Sequence, residues 1–234
     1  MLDFFKIKKQ AALSVDKDRP ITETGYVVID TELTGLNERK DSIISLGAVR
    51  MAGTRIDLSQ TFYRLIKPDS KFKPESVIIH GITPSDVSEK PNIDSIISDF
   101  LEFCGNDVLV GHCISIDLSF INSDMKRIFN TSIQNPVIDT FSIHEWMRKR
   151  ISSHSCFPPG GQSSGLYEMA KCFDITVRGA HDALFDSFIT AQLFQRFIPV
   201  LIDLGVKSLG MLLDIGHPEK GGDRFKISGE ISNF

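Results

Sequence analysis

The sequence predicts an α/β fold with a mixed five-stranded sheet flanked by helices, and three observations predict it. Residues 26–29, Tyr-Val-Val-Ile, form the short apolar run that a strand buried on both faces requires. Two more strand-like runs, 42–51 and 56–66, are joined by the turn signal Ala52-Gly53, which implies an antiparallel meander starting at the first run. Further on, helix-like and strand-like segments alternate, the order expected where helices cover a sheet.

Residues 1–24 are polar and mixed, and read as an N-terminal arm or short helix whose Phe4-Phe5 pair packs on the core, with packing on a partner as the other reading. Residues 67–91 hold Pro68, Pro74, Pro84 and Pro91 without a sustained period and read as a long connection. Within it Thr83 looks like a helix cap with Pro84 at the first helical position. Ile93, Ile96, Ile97, Phe100, Leu101 and Cys104 recur at helical spacing and predict an amphipathic helix. Val108–Gly111 reads as a buried strand, 115–128 as a helix, 136–138 as a brief strand, and 140–150 as a helix carrying Trp146.

Residues 151–165 are the most loop-like stretch, 166–173 read as a helix, and 181–197 as a strongly periodic one. A further short helix is expected after Pro199, and 216–234 read as a polar tail. The expected organisation is an arm at 1–24, a main domain at 25–204 and a C-terminal extension or tail at 205–234.

The chain has 234 residues, 41% of them hydrophobic and 24% charged, enough for one substantial core. A net charge of −4 argues against a generally basic nucleic-acid coat, though not against a local basic groove. Cys104, Cys113, Cys156 and Cys172 show no Cys-x-x-Cys spacing and are expected as free, mostly buried thiols in a reducing compartment. No apolar run approaches the roughly 18–20 residues of a membrane span, and the N-terminus lacks a signal-peptide core. These features point to a cytoplasmic protein with no membrane contact.

The chemistry is expected where the first strand ends. Asp30 and Glu32 lie two residues apart, so in an extended chain both carboxylates face the same side. Burying two like charges together is costly unless a cation neutralises them. An Asp-x-Glu alone is ordinarily a solvated turn. Here Asp117 follows the Val108–Gly111 strand, and Asp186 lies in the last periodic segment with His181 five residues before it. A separation of five places those two about 140° apart on a helix, so they share a site only if His181 belongs to the loop or first turn leading in.

The ordered set is far more specific than its members. Asp30-Thr31-Glu32-Leu33-Thr34-Gly35, His112-Cys113-Ile114-Ser115-Ile116-Asp117 and His181-Asp182-Ala183-Leu184-Phe185-Asp186 resemble the three motifs of the DnaQ-like DEDD 3′–5′ exonucleases, in the branch with His in the third motif. The segments 41–49, 80–83 and 137–140 agree with it, and the resemblance covers roughly residues 25–197. It implies a ribonuclease H-like sheet, two divalent cations, Mg²⁺ or Mn²⁺, held by Asp30, Glu32, Asp117 and Asp186, and His181 as general base. It further implies Thr34, Leu36 and His112 as contacts to the 3′-terminal nucleotide, with a packing role as the other reading of Leu36.

That set suits phosphodiester hydrolysis, because two cations about 3.5–4 Å apart can activate water and stabilise both reacting oxygens. Hard oxygen ligands select Mg²⁺ or Mn²⁺, and a histidine titrates near neutral pH. Leu33, Cys113 and Ile116 depart from the usual Thr, Asn and Phe of the motifs; none is an expected ligand, and they bear on substrate preference. The implied partner is the 3′ end of a single strand, with DNA favoured and RNA kept as the alternative because composition cannot reveal how a 2′-OH is read. The enzyme could act alone, trim RNA or serve a DNA polymerase, docking through Leu209, Met211, Leu212 and Leu213. A binding module that keeps the fold without catalysis is the alternative class. Gln192-Leu193-Phe194 resembles a clamp-binding peptide, but its place in an amphipathic helix favours the core.

Overall fold

The computed structural model describes residues 15–151, 156, 165–177, 179 and 181–218. Phe4-Phe5, most of the 151–165 loop and the tail beyond 218 lie outside them. Five strands form one sheet in the order β3-β2-β1-β4-β5. They are β1 (Gly25–Leu33), β2 (Ile43–Ala52), β3 (Arg55–Leu65), β4 (Val108–Gly111) and β5 (Val137–Asp139). The first three pair antiparallel as the expected meander, while β4 lies parallel to β1 and β5 parallel to β4. The acidic strand β1 is therefore central, and its carboxylates sit in the middle of the sheet's end rather than at an edge.

Strand periodicity divides the core in two. Tyr26 and Val28 face a cluster built with Phe194, Phe197 and Leu201, whereas Val27 and Ile29 face one built with Ile97, Phe100 and Phe120. The described helices are α1 (Pro74–His80), α2 (Pro84–Val87), α3 (Ile93–Cys104), α4 (Ser115–Phe129), α5 (Thr140–Arg148), α6 (Leu166–Cys172), α7 (Ala183–Asp203) and α8 (Leu209–Ile215). Helix α7 supplies the first cluster, and α3 and α4 the second. Each large side chain buried there contributes about 1.5–3 kcal/mol.

Four expectations are corrected. The aperiodic 67–91 connection contains α1, a helix with no apolar stripe to reveal it: Ile78 is 84% exposed and the buried residue is Ser76. Thr83 does cap α2, with a reciprocal capping box to Asp86. The long helix begins at Ala183 rather than His181 and runs past Pro199 to Asp203. Pro199 lies on its exposed side while Ile198 and Leu201 are buried beside it, so core packing offsets the lost hydrogen bond.

Cys156 and Cys172 are not free thiols but a disulfide, with Cα atoms 5.4 Å apart, while Cys104 and Cys113 are free and buried. The pair lies sixteen positions apart in the sequence. Leu209 and Leu212, considered above as docking residues, are buried in the core; Met211 is exposed. Leu193 and Phe194 are fully buried, which makes the clamp-like tripeptide a core segment. The N-terminal segment joins this side of the fold, since Pro20 bridges Ser208 and Ile21 accepts the Tyr26 hydroxyl at 2.8 Å. No described helix is long and apolar enough to cross a membrane.

Candidate active site

Asp30 sits opposite Gly47 in the β1–β2 ladder. A Cβ atom at Gly47 would come within 2.2 Å of the carbonyl carbon and oxygen of Ala183. The glycine therefore lets the first turn of α7 lie directly on the strand beside Asp30. Asp182 caps that turn, its Oδ1 accepting from the Leu184 and Phe185 amides at 3.0 and 3.1 Å. One turn along, Asp186 meets the strand, and one carboxylate oxygen each from Asp30, Glu32 and Asp186 lie within 4.8 Å of one another.

Asp117, in the first turn of α4, stands next to this trio rather than inside it. Its Oδ1 accepts the Thr31 hydroxyl at 2.6 Å, and its charge raises the pKa of Asp30. The four expected carboxylates thus converge from β1, α4 and α7.

Their electrostatics are those of an anion cluster awaiting a counter-charge. Burial first, then Asp117, Glu32, Asp186 and Asp182, hold Asp30 well above the usual carboxylate range. Burial followed by Asp186, Asp182 and Asp117 pushes Glu32 up to about 8. Burial raises Asp117 to about 7 against the opposing Thr31 hydrogen bond, and Asp186 to about 6 against the Tyr167 bond. Asp186 Oδ1 is buried with no hydrogen-bond partner. A buried, unpartnered carboxylate oxygen is costly, and a divalent cation among these oxygens would remove that cost. The donor set is all oxygen, which fits a hard cation and not a soft one.

His181 lies in the turn before the helix cap, with φ of 62°, in the left-handed region. It meets the condition that spacing alone imposed. Its backbone N–H donates to Tyr167 Oη at 2.8 Å and to Asp186 Oδ2 at 3.1 Å. Its ring packs edge-on against Tyr167, centroids 5.1 Å apart. Burial lowers its pKa, so the imidazole is neutral near neutral pH.

The three expected substrate contacts fare differently. Leu36 is 47% exposed, so its side chain is not a core residue. Thr34 is fully buried; its hydroxyl accepts from the Ser42 amide at 2.9 Å and pairs with Ser70 Oγ at 2.7 Å, which locks the turn after β1. His112 pairs through Nδ1 with Thr140 Oγ1 at 3.0 Å, and that hydroxyl itself donates to Gly111 O. Nδ1 is therefore the protonated nitrogen, and the buried Nε2 is an acceptor without a partner. Burial holds His112 down to about 3, so it stays neutral.

A profile of the RNase_T family, described as Exonuclease, matches residues 27–194. The chain belongs to the RNase_T exonuclease family. The DNA polymerase III subunit epsilon of Aquifex aeolicus is 33% identical over 198 residues, covering 84% of this chain and 90% of that protein. The PolC-type DNA polymerase III of Bacillus subtilis is 30% identical over 190 residues, 81% of this chain but only 12% of that protein. The chain thus spans about an eighth of the PolC-type relatives. Among solved structures, exonuclease X in complex with 5′ overhanging duplex DNA superposes with a TM-score of 0.60 at 24% identity, over 82% of this chain and 99% of that one. The E. coli exonuclease I–ssDNA complex gives 0.64 at 20%, over 78% and 42%. These likenesses establish the ribonuclease H-like fold. The chain is a DnaQ-like member of this exonuclease family, whose members depend on divalent metal, and it carries an acidic cluster of the kind such metals need.

Sequence reasoning missed Tyr167, Asp182 and Asp139. Asp182 stands immediately before an apolar helical run and could have been found as a cap. Asp139 ties the second motif down: its Oδ1 accepts from the Cys113 amide at 2.8 Å, where Cys113 has φ of 53°. That left-handed backbone favours Asn, the residue the family commonly has there. Tyr167 comes from a separate helix and nothing in its local pattern marks it.

Proposed function

We propose that this RNase_T exonuclease removes 5′-mononucleotides from the 3′ end of single-stranded nucleic acid, with DNA as the preferred substrate. Two divalent cations, Mg²⁺ or Mn²⁺, would be held by Asp30, Glu32, Asp117 and Asp186. The observation that carries this reading is the convergence of three carboxylate oxygens within 4.8 Å, one of them from an aspartate whose Oδ1 has no partner. Bound cations would supply charge neutralisation at the scissile phosphate and lower the pKa of the attacking water.

The chain's own residues supply the rest. Neutral His181 would accept the water's proton on its ring, and the bonds from its backbone N–H to Asp186 and Tyr167 anchor the turn that carries it. His112 Nε2 is an acceptor facing no protein donor, suited to a hydroxyl of the terminal nucleotide. Exposed Leu36 offers an apolar surface to its base. The Thr34 side chain serves the turn that presents Leu36, so its substrate contact falls to the backbone.

The preference for DNA rests on the similarity to the DNA polymerase III epsilon subunit over most of both chains. The same relative makes a DNA polymerase subunit the proposed partner. Matched DNA and RNA oligonucleotides, 5′-labelled and digested with Mg²⁺, test the substrate. Faster shortening of the DNA strand is expected; faster shortening of the RNA strand would overturn the assignment.

A further inference from the structure

Tyr167 lies on α6, outside all three motifs, yet its hydroxyl sits between the two groups on which hydrolysis is proposed to depend. It donates to Asp186 Oδ2 at 2.5 Å and accepts the His181 backbone N–H at 2.8 Å. The same N–H reaches Asp186 Oδ2 at 3.1 Å, which closes a three-membered circuit of hydrogen bonds. The two oxygens of one carboxylate are thereby given different tasks. Oδ2 is saturated by protein donors, whereas Oδ1 is buried without any partner.

We propose that Tyr167 is a positioning residue that fixes Asp186 as a one-oxygen ligand, presenting Oδ1 to the cation while pinning the His181 turn. This rests on the exonuclease reading given above. Without the hydroxyl, a terminal carboxylate rotates about a broad torsion. Either oxygen could then turn toward the cation, and both could compete for it. The His181 turn, at a φ of 62° that a histidine seldom adopts, would lose one of its two anchors. Ligand orientation and base position would therefore slacken together.

The hydroxyl is well placed to hold still. Helix α6 buries Met169 and Ala170 in the core. The disulfide from Cys172 to Cys156 ties its far end. The edge-on contact with the His181 ring fixes the tyrosine ring itself, with centroids 5.1 Å apart. Partners that orient a ligating side chain typically govern 10–100-fold in metal affinity or activity.

The test is Tyr167→Phe, which removes one oxygen, with Tyr167→Leu as a second hydroxyl-free variant. Mn²⁺ binding to the full chain is measured by titration calorimetry, alongside steady-state hydrolysis and thermal unfolding. A folded variant is expected to bind Mn²⁺ at least about ten-fold more weakly, with kcat reduced and KM for the oligonucleotide unchanged. The acid limb of its kcat–pH profile is expected to shift, because His181 is held less firmly; a purely structural tyrosine would leave that limb in place. Folded Tyr167→Phe or Tyr167→Leu with Mn²⁺ affinity within two-fold of wild type would overturn the proposal. So would unfolding of both variants, which would make the hydroxyl a support of the fold. Failure of the wild-type chain to bind Mn²⁺ would instead count against the exonuclease site itself.

Discussion

Replacing Gly47 by alanine should disable the enzyme although residue 47 bears no functional group. The added Cβ would stand 2.2 Å from the Ala183 carbonyl carbon and oxygen and 2.4 Å from the Leu184 nitrogen. Ordinary carbon contacts begin at about 3.5 Å, so strand β2 and the first turn of α7 must separate by more than about 1 Å. All three obstructing atoms are backbone, which no rotamer change can move. Overpacking of this kind costs about 1–3 kcal/mol of stability. The functional loss should be larger in proportion, because the displaced turn carries Asp186 away from Asp30 and Glu32. A misplacement of about 1 Å at a reacting centre can cost about 10²-fold in rate. Mg²⁺-dependent hydrolysis and thermal denaturation of Gly47→Ala measure both effects. A variant with wild-type kcat would refute the claim that this close approach sets the spacing of the carboxylates.

Asp30→Ala, Glu32→Ala, Asp117→Ala and Asp186→Ala should each abolish turnover in a folded protein, and a near-wild-type rate in any of them would remove that residue from the essential set. His181→Ala should lose about 10²–10⁴ in kcat with little change in Mn²⁺ affinity; full activity of folded His181→Asn, which suits the left-handed backbone there but cannot act as a base, would retire the general-base role. In EDTA the stability should fall as pH rises. The folded pKa values of Asp186, Asp117 and Glu32, about 6, 7 and 8, lie above their ordinary values of 3.8, 3.8 and 4.5. The native state therefore binds more protons than the unfolded one, so stability present below about pH 4 is lost progressively through about pH 8. Thermal midpoints across that window, with and without Mg²⁺, check the sign; a flat or rising midpoint in EDTA would contradict it.

The sheet was legible because β1 and β2 carry strong apolar runs and the Ala52-Gly53 turn signal joins β2 to β3, although β3 itself is mixed and mostly exposed. The carboxylates were legible because Asp30 and Glu32 share a strand face and the later motifs keep their order. Helix α1 was not legible: it buries almost nothing, so no hydrophobic period betrays it. Pro199 misled for the opposite reason, since packing of Ile198 and Leu201 overrode a local helix breaker. The Cys156–Cys172 pairing joins positions sixteen apart, a separation that by itself marks no disulfide. Within the site, His181 was found through its motif, but the backbone turn that brings it to Asp186 depends on Tyr167 from another helix. The inward direction of Thr34 follows from Ser42 and Ser70, partners that no local pattern names.

The central claim is that converging carboxylates hold the cations for hydrolysis at a 3′ end. Digestion of a 5′-labelled single strand by the purified chain, with Mg²⁺ and then with excess EDTA, tests it most directly. The account predicts a ladder shortening from the 3′ end, 5′-mononucleotide products, and complete arrest by EDTA. Undiminished cleavage in EDTA, or release of the label from the 5′ end at the outset, would contradict it.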